Sequence, residues 1–290
     1  LTSYMLSSQG LIPAQIIDIQ RGVDVPFSPY LEATRPHDVY TVSLEAEIVP
    51  FGYSEFVVYP DSEPSVSRKS LLTGMDSAEN EFISLKITEN GHITITDKRT
   101  NKVYSDLHSY VDDGEVGDGW RHQELKLDKK VKDSGCAAVS VVADGENEVV
   151  FMIEKEMVLP KHLDGTTFKR SEETDKMKLQ STVTLCRGDA FVTVETQIQN
   201  NIKDHRLRVM FPTDTEGDKY FASQAFCFVE RPTGVNYTTD TWIEPYNLEQ
   251  NTSGIAGKRN AAGEGLAVVS PYGIHECSCN DDSRATLSFT

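Results

Sequence analysis

Residues 83–97 read ISLKITENGHITITD, two runs of alternating apolar and polar side chains joined across Asn90-Gly91. A period of two sends successive side chains to opposite faces of a strand. Asn-Gly accepts positive φ, so the stretch predicts an antiparallel hairpin closed by a tight type I′ turn. The same period recurs outward from it. Tyr40, Val42, Leu44, Ala46 and Ile48 form one apolar row, and Met177, Leu179, Ser181, Val183 and Leu185 another. Leu207, Val209 and Phe211 form a third, with Arg206, Arg208 and Met210 as the alternate row until Pro212 stops the run. Each apolar row is expected to face a core and each alternate row to meet solvent. GLAVVSPYGIHE (265–276) reads as a buried strand running into a turn at Pro271 and Gly273. No stretch predicts a helix of three turns. The fold class is therefore all-β, with strands that stack as sandwiches.

The 290 residues suit one large β domain or two smaller ones. DSEPSVSRKSLLTGMDSAE, between Pro60 and Asn80, loses the alternation and gathers Ser, Pro, Gly and Asp. It reads as a linker over 61–80, between a small β module at 1–60 and a large sandwich at 81–290. A second polar stretch, 161–176, reads as a long loop of the sandwich. Lys+Arg 28 against Asp+Glu 45 leaves a net charge of −17, a field that repels nucleic acid and anionic membrane surfaces. A neutral, hydroxyl-rich ligand meets no such penalty. No apolar run approaches the roughly 18 residues of a membrane span, and the first residues lack the basic start and long apolar core of a signal peptide. Five dispersed cysteines argue against a disulfide framework and for a reducing cytoplasm. Leu1 in place of a starting Met, and an end at ATLSFT inside a strand pattern, lead to the expectation of a piece of a longer polypeptide.

DDGEVGDGW (112–120) packs four acids, three glycines and one of the two tryptophans into nine residues. It suits a solvated acidic turn, and it also suits the rim of a sugar site, where carboxylates bind hydroxyls and an indole stacks on a pyranose ring. TDTWIEPYN (239–247) repeats the theme with Trp242, Glu244 and Tyr246. His108, between Tyr104 and Tyr110, reads as a packing residue, and His162, His205 and His275 are isolated. Cys277 and Cys279 beside His275 lack the second half of a zinc spacing. Nucleophile elbow, P-loop and dinucleotide fingerprints are missing from the sequence.

ENEFISLKITENGHITITDKRTNKVYSDLHSYVDDGEVGDGW (79–120) resembles the start of the C-terminal β domain of the family 38 glycoside hydrolases, the α-mannosidases, in their bacterial branch. VPFGYSEFVVYP (49–60) is similar to the end of the small β module that precedes it. HRLRVMFPT (205–213) with FVERP (228–232), and GLAVVSPYGIHE (265–276), resemble its central strands and late turn in the same order. The resemblance implies a supersandwich of the galactose-mutarotase kind. It also implies a zinc ion and an aspartate nucleophile in an N-terminal catalytic barrel that no part of this sequence resembles. The expectation is then a non-catalytic scaffold, inactive alone and without a cofactor of its own, whose partners are that catalytic domain and a mannose-containing carbohydrate. The residues expected to face sugar are Gly117, Asp118, Gly119 and Trp120, with Tyr272 and Gly273 at the late turn. SPYG there departs from the arginine-glycine pair of many relatives, so a charge contact does not carry over. The alternatives are a free-standing carbohydrate-binding β module and an epimerase-like enzyme, which would need a paired His and Glu.

Overall fold

The computed structural model describes residues 3–7, 10–28, 31–60, 69–117, 122, 125, 128–234, 246–272, 275–280 and 282–290. Every regular element among them is a strand. The first four are β1 (Ser3–Ser7), β2 (Gly10–Ser28), β3 (Leu31–Leu44) and β4 (Val57–Pro60), one antiparallel sheet in the order β3-β2-β1-β4. A five-stranded meander follows: β5 (Leu72–Gly74), β6 (Ser77–Glu79), β7 (Ile83–Ile87), β8 (Ile93–Asp97) and β9 (Lys102–Leu107). Two of these strands and the buried Leu71 and Ala78 lie within the polar stretch read as a linker.

Next come β10 (Ser109–Gly114), β11 (Val131–Lys132), β12 (Ala138–Ala143), β13 (Glu148–Pro160), β14 (Thr174–Cys186) and β15 (Thr193–Gln199). The last are β16 (His205–Pro212), β17 (Lys219–Gln224), β18 (Cys227–Pro232), β19 (Gln250–Thr252), β20 (Ile255–Arg259), β21 (Gly265–Val269), β22 (His275–Cys279) and β23 (Thr286–Phe289). They form a sheet β12-β13-β14-β15, a six-stranded sheet β11-β10-β16-β23-β22-β19 and a sheet β18-β17-β20-β21.

The paired β13 and β14 are the platform. Each runs 13 residues, from Glu148 opposite Cys186 to Pro160 opposite Thr174. At about 3.4 Å per residue the pair is long enough to carry two sheets side by side. Val149, Phe151, Ile153, Val183 and Leu185 at one end pack against Ile83, Leu85, Ile87 and Ile93 of the meander. Met157, Leu159, Met177 and Leu179 at the other end pack against Tyr110 and Leu207 of the six-stranded sheet. That same face of the six-stranded sheet continues through Phe289, Leu287, Cys277 and Cys279 onto Tyr220, Ala222 and Ala256 of β17 and β20. Truncating one such fully buried side chain, Phe151→Ala for instance, typically costs about 3–5 kcal/mol.

The predicted apolar rows of β7 and β14 are buried as expected. Two expectations are corrected. The hairpin turn is a three-residue loop in which Thr88 N–H donates to His92 O and Gly91 N–H to Thr88 O. Only Gly91, at φ +74°, is left-handed there, where type I′ needs two such residues. The row Tyr40 to Ile48 is not a core face either, since β3 ends at Leu44 and Ile48 is 75 % exposed.

Candidate functional site

β10 and β16 pair so that Val111 lies opposite Arg208, Asp112 opposite Leu207 and Asp113 opposite Arg206. Consecutive residues face opposite sides, so the two aspartates part company. Asp113 points to the face away from the platform and receives a forked pair from Arg206, Nε to Oδ1 at 3.0 Å and Nη2 to Oδ2 at 2.9 Å. Arg208 adds Nη2 to Oδ2 at 2.8 Å. Glu249, just before β19, closes the group, its Oε1 at 3.3 Å from Arg206 Nη1 and 3.7 Å from Arg208 Nη1. All four are buried or nearly so, with Asp113 only 1 % exposed. Burial pulls the Asp113 carboxyl upward, but the Arg206 hydrogen bonds and the charges of Arg208 and Arg206 outweigh it and hold it below the usual carboxylate range. Arg206 Nη1 and Arg208 Nε have no aligned hydrogen-bond partner.

Asp112 faces the platform side and is bound by Arg170 Nη2 and by His205 Nδ1, whose Nε2 lies 3.2 Å from Asn200 Oδ1. Arg170 also donates to Lys129 O at 3.3 Å. Asp112 thereby gathers the loop after β13, the chain before β11 and the start of β16.

The chain leaving β10 is fixed at its root. Gly114 N–H donates to Asp128 Oδ2 at 3.1 Å, and Glu115 N–H to Asp204 O at 3.0 Å. Leu125 is buried so close that a Cβ on Gly114 would lie 2.3 Å from its Cδ1. The buried His122 imidazole bonds Glu115 through Nδ1, while its Nε2 and Asp128 Oδ1 have no partner. Gly117 is exposed, at φ +86°.

The acids expected on a solvated turn are thus divided. Asp112 and Asp113 are buried strand residues, because each meets cations from β16 or the loop after β13, while Glu115 and Gly117 lie beyond the strand. Asp118, Gly119, Trp120 and Gly273 lie outside the described residues, as do Trp242 and Glu244. Tyr272 is 84 % exposed and follows β21 in a different sheet from β10. Arg206, Arg208, His205, Arg170, His122 and Glu249 went unread as site residues. The one available signal was a pair of arginines alternating in a strand whose chain holds adjacent aspartates elsewhere. His108 is the packing residue expected: buried, its Nε2 is 3.0 Å from Tyr110 Oη and 3.1 Å from Thr196 Oγ1.

One clamp therefore holds the roots of both aromatic, acidic segments, through Asp113 ahead of Trp120 and Glu249 behind Trp242. Among the described residues no three His, Cys, Asp or Glu side chains converge to hold a metal ion. The zinc that the resemblance implies has no donor set among them.

The sequence matches the model of the glycosyl hydrolases family 38 C-terminal domain over residues 78–287. It is 26% identical to a protein of Halalkalibacterium halodurans named "Putative mannosylglycerate hydrolase", over 96% of this chain and 33% of that protein. In fold it is similar to the crystal structure of an alpha-mannosidase from Enterococcus faecalis V583, with a TM-score of 0.80 at 24% identity over 99% of this chain and 34% of that one. A family 38 glycosyl hydrolase protein of Enterococcus faecalis gives 0.81 at 22% identity over 100% of this chain and 35% of that one. The chain spans about a third of the length of each of these relatives.

Proposed function

This chain belongs to glycosyl hydrolase family 38 through its C-terminal domain, and from that membership we propose that it is the non-catalytic C-terminal β region of a hydrolase acting on α-mannosides. Coverage is the observation that carries the reading. Nearly the whole chain aligns with only a third of a relative named for mannosylglycerate hydrolysis, and with a third of an α-mannosidase of the same fold. On this reading the remaining two thirds of a family-length protein carry the bond-cleaving residues and the zinc, and the substrate contains mannose.

The present region scaffolds that part and lends it loops. Gly117, Asp118, Gly119 and Trp120, with Tyr272 and Gly273, border the sugar pocket. The buried Asp113, Arg206, Arg208 and Glu249 clamp supports this role, because a loop that positions a ligand needs a rigid root. The five free thiols support a reducing cytoplasm as the compartment.

The test compares the purified chain with the same chain joined behind the N-terminal two thirds of the Halalkalibacterium halodurans relative. Mannose release from mannosylglycerate or an aryl α-mannoside is expected from the joined protein only. Release by the chain alone overturns the reading.

A further inference from the structure

The sheet β18-β17-β20-β21 has a second face, turned away from the core. Tyr220, Ala222, Val229, Ala256 and Val268 point inward, so the alternate residues Lys219, Phe221, Phe228, Glu230 and Arg259 point out. They border an open cavity of about 630 Å³ that the turn at Asn260 and Ala261 closes at one end. This lies inside the range of about 300–1,000 Å³ usual for small-ligand sites.

The floor is aromatic. Phe221 lies against the bare backbone of Gly257, where a Cβ would come within 2.4 Å of its Cζ. Phe228 stands edge-on to it, centroids 6.0 Å apart, and is 60 % exposed. The rim is charged and rich in hydrogen-bonding groups. Lys219 Nζ sits 3.2 Å from Glu230 Oε2, which leaves that carboxylate further lone pairs to accept with. Arg259 lines the cavity and has no side-chain partner among the described residues, so its donors are open to a ligand.

Size decides against a protein occupant. Four strands of five or six residues make a face of about 15 by 20 Å, roughly 300 Å², whereas a stable protein interface covers about 800 Å² on each partner. Charge decides against an anion, because the chain carries −17 and the cavity pairs one of its two cations with Glu230. A neutral ring with an apolar face and hydroxyls around its edge matches both floor and rim.

We infer that this cavity is a binding site for a neutral pyranoside. The ring's C–H face lies on Phe221 and Phe228, Arg259 donates to adjacent hydroxyls, and Glu230 accepts from another. That the pyranoside is a mannoside rests on the function proposed above.

The test is a titration of this chain with methyl α-mannopyranoside and methyl β-galactopyranoside, followed by saturation-transfer NMR. Saturable, millimolar binding of the mannoside is expected. Phe228→Ser and Arg259→Gln, both at exposed positions, should each weaken it by roughly tenfold or more, while Phe51→Ser, at an exposed ring elsewhere, leaves it unchanged. No saturation by either glycoside up to about 50 mM, or wild-type affinity in both cavity variants, overturns the site. Tighter binding of the galactoside overturns the mannoside assignment. Mannose release by the joined protein is a separate readout, so either proposal can fail while the other stands.

Discussion

His108 and Asp113 are both buried, and their proton affinities are displaced in windows that do not overlap. Burial, with Lys155 nearby, lowers the His108 pKa to about 4. Unfolded, the imidazole takes a proton near 6.5, so the unfolded state binds more protons as the pH falls. The stability that neutral His108 allows is complete above about pH 6.5 and is lost down to about pH 4, on the order of 3 kcal/mol in all. Asp113 is depressed, so its contribution is present above the ordinary aspartate range and is lost only as the pH falls through its folded value, below about 4. His108→Asn suits the left-handed backbone there, φ +62°. In urea melts from pH 7 to 4.5 the variant should lose less stability than the wild type. Parallel pH curves would remove His108 as the cause. Asp113→Asn should instead lower stability at neutral pH by about 3–5 kcal/mol, since it leaves two buried arginines poorly compensated. The wild-type advantage over this variant should shrink only below about pH 4.

At the scale of single elements, the hairpin loop shows a residue chosen for two reasons. Gly91 takes φ +74°, and a Cβ there would also lie 2.8 Å from Ala137 Cβ and from Ile153 Cγ2. Gly91→Ala should cost about 1–2 kcal/mol for the backbone and about 1–3 kcal/mol more for overpacking. Gly91→Asn separates the two, because Asn tolerates the backbone and still brings the Cβ. Thermal melts should show Asn nearly as damaging as Ala, and wild-type stability in the Asn variant would overturn the packing account. Elements of this kind were the legible part of the sequence. The period of two placed Ile83, Leu85 and Ile87, and Met177 through Leu185, on buried faces because their covering sheets are apolar. It could not say that the polar row of β16 is also covered. Arg206 and Arg208 look like solvent residues until Asp113, 93 and 95 positions away, is brought opposite them. Nor could it show that the row beginning at Tyr40 lies in a strand that stops at Leu44.

At the scale of the molecule, a polar junction ties the first sheet to the large β unit. Gln15 on β2 accepts from the N–H groups of Asn147 and Glu148 at 3.0 and 2.9 Å and donates to Glu148 O at 3.0 Å. Asn147 Nδ2 returns a bond to Ser43 O on β3 at 2.9 Å. The junction depends on Gly145, where a Cβ would lie 2.1 Å from Gln15 Cδ. Four bonds at about 0.5–1.5 kcal/mol net each give a few kcal/mol of coupling, well short of the apolar stacking inside the large unit. Gln15→Ala and Gly145→Ala should therefore loosen the same attachment, one by deleting the side chain and the other by displacing it. Hydrogen exchange is the measurement. Amides of β2 and β3 should exchange faster in both variants, while those of Phe151 and Val183 at the centre of the platform keep their protection. An equal rise in both places would mean that the first sheet and the platform open as one cooperative body, and that Gln15 is only one contact among many in a continuous core.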